Sequence, residues 1–356
     1  MNSVLKDRKL AQILSELKLT VQNVMEKNEN FLLLKCADPT DRRLVLKYSH
    51  SGVKDASARL QNEAVLIRNL QAARPLRLLQ YYSHGPDYLV TEFEEGDLLL
   101  PNSDYRETIR QCVADALIKF QVTPIRVKKA GVRQKTCMKS FYLKGLLKHL
   151  LHLWPDFVSL SEAMQCLRIL ISALPAMGKN PVICHGDFLP TNLLFKAEQQ
   201  EVVFTDLEGF QAKNHPFYDV LSFCTIDDCD LWQWKWQKQF IRYYLERTEA
   251  LFSLEPASRS FKDALRGILI FLLVYRMNET RIGLRKTTYF DGLGKLRYAS
   301  KRFRNLLFCS VGDCRPNFAN RSMRLRKNNL EAVLSSRSFL GYLDWLLEVR
   351  LPEQKH

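Results

Sequence analysis

Residues 181–210 read PVICHGDFLPTNLLFKAEQQEVVFTDLEGF, and this stretch decides the fold. Two short apolar runs, 193–195 and 202–204, flank a polar stretch at 196–201, which predicts two antiparallel strands joined by a turn. The start of the first strand of such a hairpin lies beside the end of the second. Asn192 sits just before the first strand and Asp206 just after the second, so two hard oxygen donors should meet at one end of a rigid ribbon. Asp187 lies on the loop feeding the same end. Two carboxylates and an amide oxygen converging there suit a magnesium ion and a general base. The order D-x-x-x-x-N, then a later Asp, is that of a phosphoryl-transfer site.

The set His185-Gly186-Asp187, Asn192, Thr205-Asp206-Leu207-Glu208, continued by Pro216-Phe217-Tyr218-Asp219, resembles the aminoglycoside phosphotransferase and choline kinase superfamily. That resemblance implies an α+β, two-lobed, protein-kinase-like fold. A small antiparallel-sheet N-terminal lobe with one main helix would span residues 1–95, and a larger, mostly helical catalytic and substrate lobe residues 96–356. It implies a small-molecule kinase that moves the γ-phosphate of ATP or GTP to an alcohol with Mg2+. Asp187 would be the catalytic base, and Asn192 and Asp206 the metal ligands.

Upstream, 43–48 alternates as a strand, with Leu44, Leu46 and Tyr48 on one face and Val45 and Lys47 on the other. Residues 55–70 predict a helix whose apolar stripe, Ala56, Leu60, Ile67 and Leu70, carries Glu63. A carboxylate on an inward face needs a cationic partner. Lys47 is the candidate, as in the strand-lysine to helix-glutamate pair that positions ATP phosphates in kinases. Residues 21–26 and 31–36 predict a hairpin over the phosphates. It lacks the usual glycine, which leaves the backbone of Asn28–Glu29–Asn30 to meet phosphate. A second hairpin around Gly85-Pro86-Asp87 leads to a break at Glu95-Gly96-Asp97, and the resemblance implies that backbone groups of Glu92, Phe93 and Glu94 hold the adenine there.

Helices are expected at 4–19, 104–121, 141–154, 160–174 and 329–350, with 125–139 an exposed basic loop. Residues 225–236 read as helical. Trp232 and Trp236 share a face with Phe240, a core-anchoring pattern in preference to an acid-and-aromatic cradle for a cationic head group. His149 and His152 border an apolar stripe instead of binding metal, and His185 braces its loop. Glu208 is a further candidate carboxylate at the metal, and Asp219 a structural tie.

The chain has 356 residues and a formal net charge of +15. Residues 259–327 hold 17 Lys or Arg against 4 Asp or Glu, a surface open to anions, including an anionic membrane face. That excess favours a sugar, a phosphorylated sugar or an anionic lipid head group as acceptor; an amino-alcohol head group would want an acidic pocket instead. The longest apolar run, 268–275, is too short to span a bilayer, and the charged N-terminus does not resemble a secretory leader. The nine cysteines, with no C-x-x-C, read as reduced thiols, and the chain as cytoplasmic. Two other readings stand beside the kinase: a catalytically inactive kinase-like binding module, and a basic nucleic-acid-binding protein for which no motif is present.

Overall fold

The computed structural model describes residues 7–27, 31–50, 54–72, 78–99, 107–123, 138–226, 229–291 and 316–347. Alternating apolar residues build a five-stranded antiparallel sheet from β1 (Thr20–Lys27), β2 (Phe31–Ala37), β3 (Arg43–Ser49), β4 (Tyr81–Gly85) and β5 (Tyr88–Glu92), in the order β1-β2-β3-β5-β4. Leu44 and Leu46 of β3 are buried against α1 (Arg8–Glu16), whose Leu10, Ile13 and Leu14 complete that small core. Asp7 caps α1 by accepting from the N–H groups of Lys9 and Leu10, and it also accepts from the Tyr48 hydroxyl at 3.0 Å. The helix is therefore shorter than the periodicity predicts, since Asp7 starts it and Leu17 closes it.

The opposite sheet face, carrying Lys47, turns toward α2 (Lys54–Ala72). The buried Leu60, Ala64 and Ile67 of α2 join the main core of the larger lobe. A short strand β6 (Asp97–Leu98) follows and pairs with the strand Leu193–Lys196. The larger lobe then adds α3 (Glu107–Val122), α4 (Met138–Leu153) and α5 (Leu160–Met177), the last begun by a Ser159/Glu162 capping box. Next come β7 (Val182–Cys184), β8 (Leu193–Lys196), β9 (Glu201–Phe204) and β10 (Gln211–Asn214). The helices α6 (Phe217–Cys224), α7 (Lys235–Thr248), α8 (Arg259–Asp291), α9 (Pro316–Leu334) and α10 (Ser336–Leu347) close the chain. The buried run 268–274 of α8 forms the axis of this core. No helix among the described residues is long and apolar enough to cross a membrane.

Three local readings are corrected. The α5 helix runs past Pro175, because a proline in the last turn forfeits one backbone bond while buried Met177 still packs. The stretch 225–236 is not one helix: a 3-10 turn at Leu231–Gln233 precedes α7. Trp234 is therefore the buried ring, and Trp232 is exposed. The last helix is two, divided at Ser335. Asn28–Asn30, Asp227, Asp228, most of 125–139, and 292–315 within the basic segment lie outside the described residues.

Candidate active site

The β8–β9 hairpin has the expected register: its strands are antiparallel, with Leu193 opposite Phe204. The Thr205 N–H donates to the Asn192 carbonyl at 3.0 Å, which fixes Asp206 beside Asn192. The Asn192 side-chain amide donates to the Asp187 carbonyl at 2.8 Å and to its Oδ2 at 3.0 Å. With its nitrogen committed to Asp187, the ligand atom that the Asn192 amide could offer is its oxygen. Asp206 itself adopts a left-handed backbone, φ 58°, which Asp tolerates better than most residues.

The loop before the hairpin is pinned from below. Asp219 at the start of α6 is fully buried and accepts from the His185 N–H at 2.7 Å and the Gly186 N–H at 3.0 Å. Burial pushes its carboxyl up to about 7, against those two donors. His185 is buried among Phe120, Phe188 and Phe204, and its Nε2 lies 3.0 Å from the Thr205 carbonyl. It ties the loop to the hairpin. Gly186 has φ +81°, and a Cβ there would stand 1.8 Å from the Gly209 carbonyl oxygen, so neither glycine tolerates a side chain without moving Asp187.

A second set of charges meets this unit from the small lobe. Lys47 Nζ lies 2.8 Å from Glu63 Oε2 and 3.1 Å from Asp206 Oδ1, and also pairs with Glu208. Glu63 accepts from the Leu207 N–H at 3.1 Å, so the helix glutamate holds both the lysine and the turn after Asp206. Burial pushes Glu63 up to about 7 despite the lysine, and burial also raises Glu208. Burial opposes the Lys47 charge, but the three carboxylates together hold its ammonium well above its ordinary range. Carboxylate oxygens of Glu63, Asp206 and Glu208 lie within 4.8 Å of one another, a hard-oxygen donor set of the kind a magnesium ion takes.

At the expected hinge the Glu92 N–H donates to the Gln80 carbonyl and the Phe93 N–H to the Arg43 carbonyl, at 2.8 and 2.9 Å, so these two backbone donors are engaged within the small lobe. Glu94 pairs with Lys196 of β8, which couples this segment to the β8–β9 hairpin. Six cysteines among the described residues form no disulfide, and four of them are buried. No zinc set forms among the described residues, where the only carboxylate, histidine and cysteine cluster of metal-binding size is Glu63, Asp206 and Glu208.

One feature escaped sequence reasoning. A cavity of about 370 Å³ opens at Asp187, between α4 and the middle of α8, with Lys144, Lys148 and Arg276 in its wall. Gly145 permits the approach of the two helices, since a Cβ there would lie 2.8 Å from the Phe271 ring. In the sequence, nothing local marks the two lysines as partners of Arg276.

The model of the phosphotransferase enzyme family matches residues 27–257. Ethanolamine kinase 1 of Mus musculus is 25% identical over 205 residues, covering 51% of this chain and 55% of the mouse protein. The Homo sapiens ethanolamine kinase 1 is 24% identical over 205 residues, covering 51% of this chain and 44% of its own length. The chain thus spans about half the length of the curated relatives it matches. Among solved structures, the ternary complex of APH(2'')-IIa with streptomycin and ATP superposes with a TM-score of 0.57 at 13% identity, over 77% of this chain and 90% of that one. The Plasmodium vivax ethanolamine kinase superposes with a TM-score of 0.56 at 16% identity, over 95% and 88%. These likenesses establish the two-lobed kinase-like fold, and the matched model, which covers more than half of the sequence, establishes that the chain belongs to the phosphotransferase enzyme family.

Proposed function

We propose that the protein is a kinase that transfers the γ-phosphoryl group of ATP or GTP to a hydroxyl of a small molecule. The observation that carries this reading is the continuous chain of contacts from Asp187 through Asn192 and Thr205 to Asp206, and from Asp206 to the Lys47–Glu63 pair. It joins an acceptor carboxylate to a phosphate-binding cation through a rigid hairpin.

In this reading residues 1–95 hold the nucleotide and residues 96–356 hold the acceptor. Lys47, held by Glu63, contacts the inner phosphates. The adenine rests on the hinge, with the Glu94 backbone and the Glu92 carbonyl in place of the spent N–H groups of Glu92 and Phe93. Asp206 and Asn192 hold magnesium, with Glu208 beside them, and the ion when bound neutralises charge spreading over the phosphate oxygens. Asp187 accepts the proton of the acceptor hydroxyl and aims its oxygen at the γ-phosphorus. The new O–P bond forms as the bond to the β-γ bridging oxygen breaks, and ADP leaves. A reducing, cytoplasmic setting is part of this reading, in keeping with described cysteines that form no disulfide.

The test is magnesium-dependent ADP release screened over amino alcohols, sugars, hydroxy acids and sugar phosphates. The Asp187→Asn variant is expected to lose about 10³-fold in turnover with the fold intact. Undiminished transfer by that variant overturns the assignment, and a chain that neither binds nor cleaves nucleotide is the inactive binding module.

A further inference from the structure

We infer that the acceptor is a hydroxylated organic anion, whose carboxylate or phosphate monoester is seated by Arg276, Lys144 and Lys148 in the cavity beside Asp187. This rests on the phosphotransferase reading and names its substrate class. The three cations line one cavity, and the only carboxylate among its lining residues is Asp187. None of Lys47, Glu63, Asn192 and Asp206 lines it, so these cations address the acceptor side and not the nucleotide phosphates.

Arg276 is the built part of the site. It is only 3% exposed, and a buried guanidinium demands partners. Its Nη1 pairs with Glu279 at 2.6 Å and its Nη2 approaches the Ser222 hydroxyl at 3.4 Å, but its buried Nε has no hydrogen-bond partner among the described residues. Planar guanidinium edges match carboxylate and phosphate oxygens. Lys144 and Lys148 stand one turn apart on α4, at exposed positions, and add positive charge to the cavity wall. His149, between α4 and Asn278 of α8, adds no charge at neutral pH, since burial and then Lys148 pull it down to about 4.

The same residues disfavour a cationic acceptor. An ammonium head group needs carboxylates or bare aromatic faces. Here the Tyr275 ring already carries the Arg276 guanidinium, 5.2 Å from its centroid. The remaining aromatic wall, Phe141, Tyr218 and Phe271, packs ring against ring and leaves an apolar surface for the carbon skeleton of a polyol or sugar.

The test uses the full chain and four probes: glycerol, ethanolamine, D-glycerate and glycerol 3-phosphate. With magnesium and ATP, the two anions are expected to give kcat/KM at least about tenfold above glycerol and ethanolamine, and the carboxylate and phosphate arms separate the two anion types. Lys144→Ala and Lys148→Ala, both at exposed positions, should each raise acceptor KM by about three- to tenfold while ATP KM stays unchanged. Without nucleotide, the preferred anion should raise the melting temperature of the wild type. The doubly substituted Lys144→Glu, Lys148→Glu chain should lose that shift and keep the one given by magnesium and ATP. Preference for glycerol or ethanolamine overturns the inference, as does a change in ATP KM in place of acceptor KM, or no stabilisation by either anion. Anion stabilisation with no ADP release from any probe leaves the anion site standing and removes the phosphotransferase reading instead.

Discussion

Replacing Lys47 by Met removes the one cation shared by Glu63, Asp206 and Glu208, and the cost follows from how deeply each carboxylate is buried. The side chains of Asp206 and Glu208 keep 22% and 18% exposure, so water screens them, and losing their partner costs about 1 kcal/mol each or less. The Glu63 side chain is 4% exposed and cannot remain ionised alone. It escapes by taking up a proton, and that route costs about 1.4 kcal/mol for each pH unit above its unfolded value. In the wild type Glu63 is already pushed up to about 7, so the two proteins share this penalty below pH 7 and part company above it. The sign follows from proton counts. Above pH 7 the variant keeps a proton that its unfolded chain has lost, so its stability falls further with rising pH while that of the wild type does not. The substitution should therefore cost about 2 kcal/mol at pH 7 and about 4 kcal/mol at pH 8.5, read by urea denaturation without nucleotide. Adding Glu63→Gln to Lys47→Met should recover about 1–3 kcal/mol of the pH 8.5 loss, because no stranded carboxylate remains. A cost independent of pH, or two strictly additive single effects, refutes the reasoning.

Asp219→Ala leaves the buried N–H groups of His185 and Gly186 without their acceptor, at about 1–3 kcal/mol each, so about 2–6 kcal/mol should be lost in denaturation, whereas Asp187→Ala should cost under about 1 kcal/mol. Gly186→Ala meets both a positive φ and the Gly209 carbonyl. Strain alone should cost about 1–3 kcal/mol, and transfer should fall far more than nucleotide affinity measured by calorimetry. Burial pulls His215 down to about 3, so it stays neutral in the fold while the unfolded chain gains a proton below its ordinary 6.5. Stability it contributes near neutral pH is lost as pH falls, by about 2 kcal/mol at pH 5, and the slope of stability against pH should flatten by that amount in His215→Asn.

The parts of the site that could be read in the sequence share a physical trait: each is fixed by a short-range rule. A hairpin with a polar turn has one register that buries 193, 195, 202 and 204, and that register forces Asn192 and Asp206 together. Glu63 stood out because a charge broke an apolar helical stripe, and Lys47 because it lay on the strand face opposite Leu44 and Leu46. The parts that were not legible depend on packing between distant segments. Lys144, Lys148 and Arg276 meet only because Gly145 lets α4 settle against Phe271 of α8. The N–H groups of Glu92 and Phe93 are taken up by the carbonyls of Gln80, just before β4, and of Arg43 in β3, which no local pattern announces. Trp234 and Trp232 exchanged places because a 3-10 turn reset the helical phase before α7.

The central claim is that Asp206 and Asn192 serve a nucleotide and its metal, while Asp187 serves the hydroxyl. Calorimetric titration of ATP with and without magnesium, on the wild type, Asp206→Asn and Asp187→Asn, tests it most directly. Binding should depend on magnesium, weaken by about tenfold or more in Asp206→Asn, and stay within about twofold in Asp187→Asn, although the turnover of that variant is gone. Binding that ignores magnesium, or that survives Asp206→Asn and fails with Asp187→Asn, would contradict it.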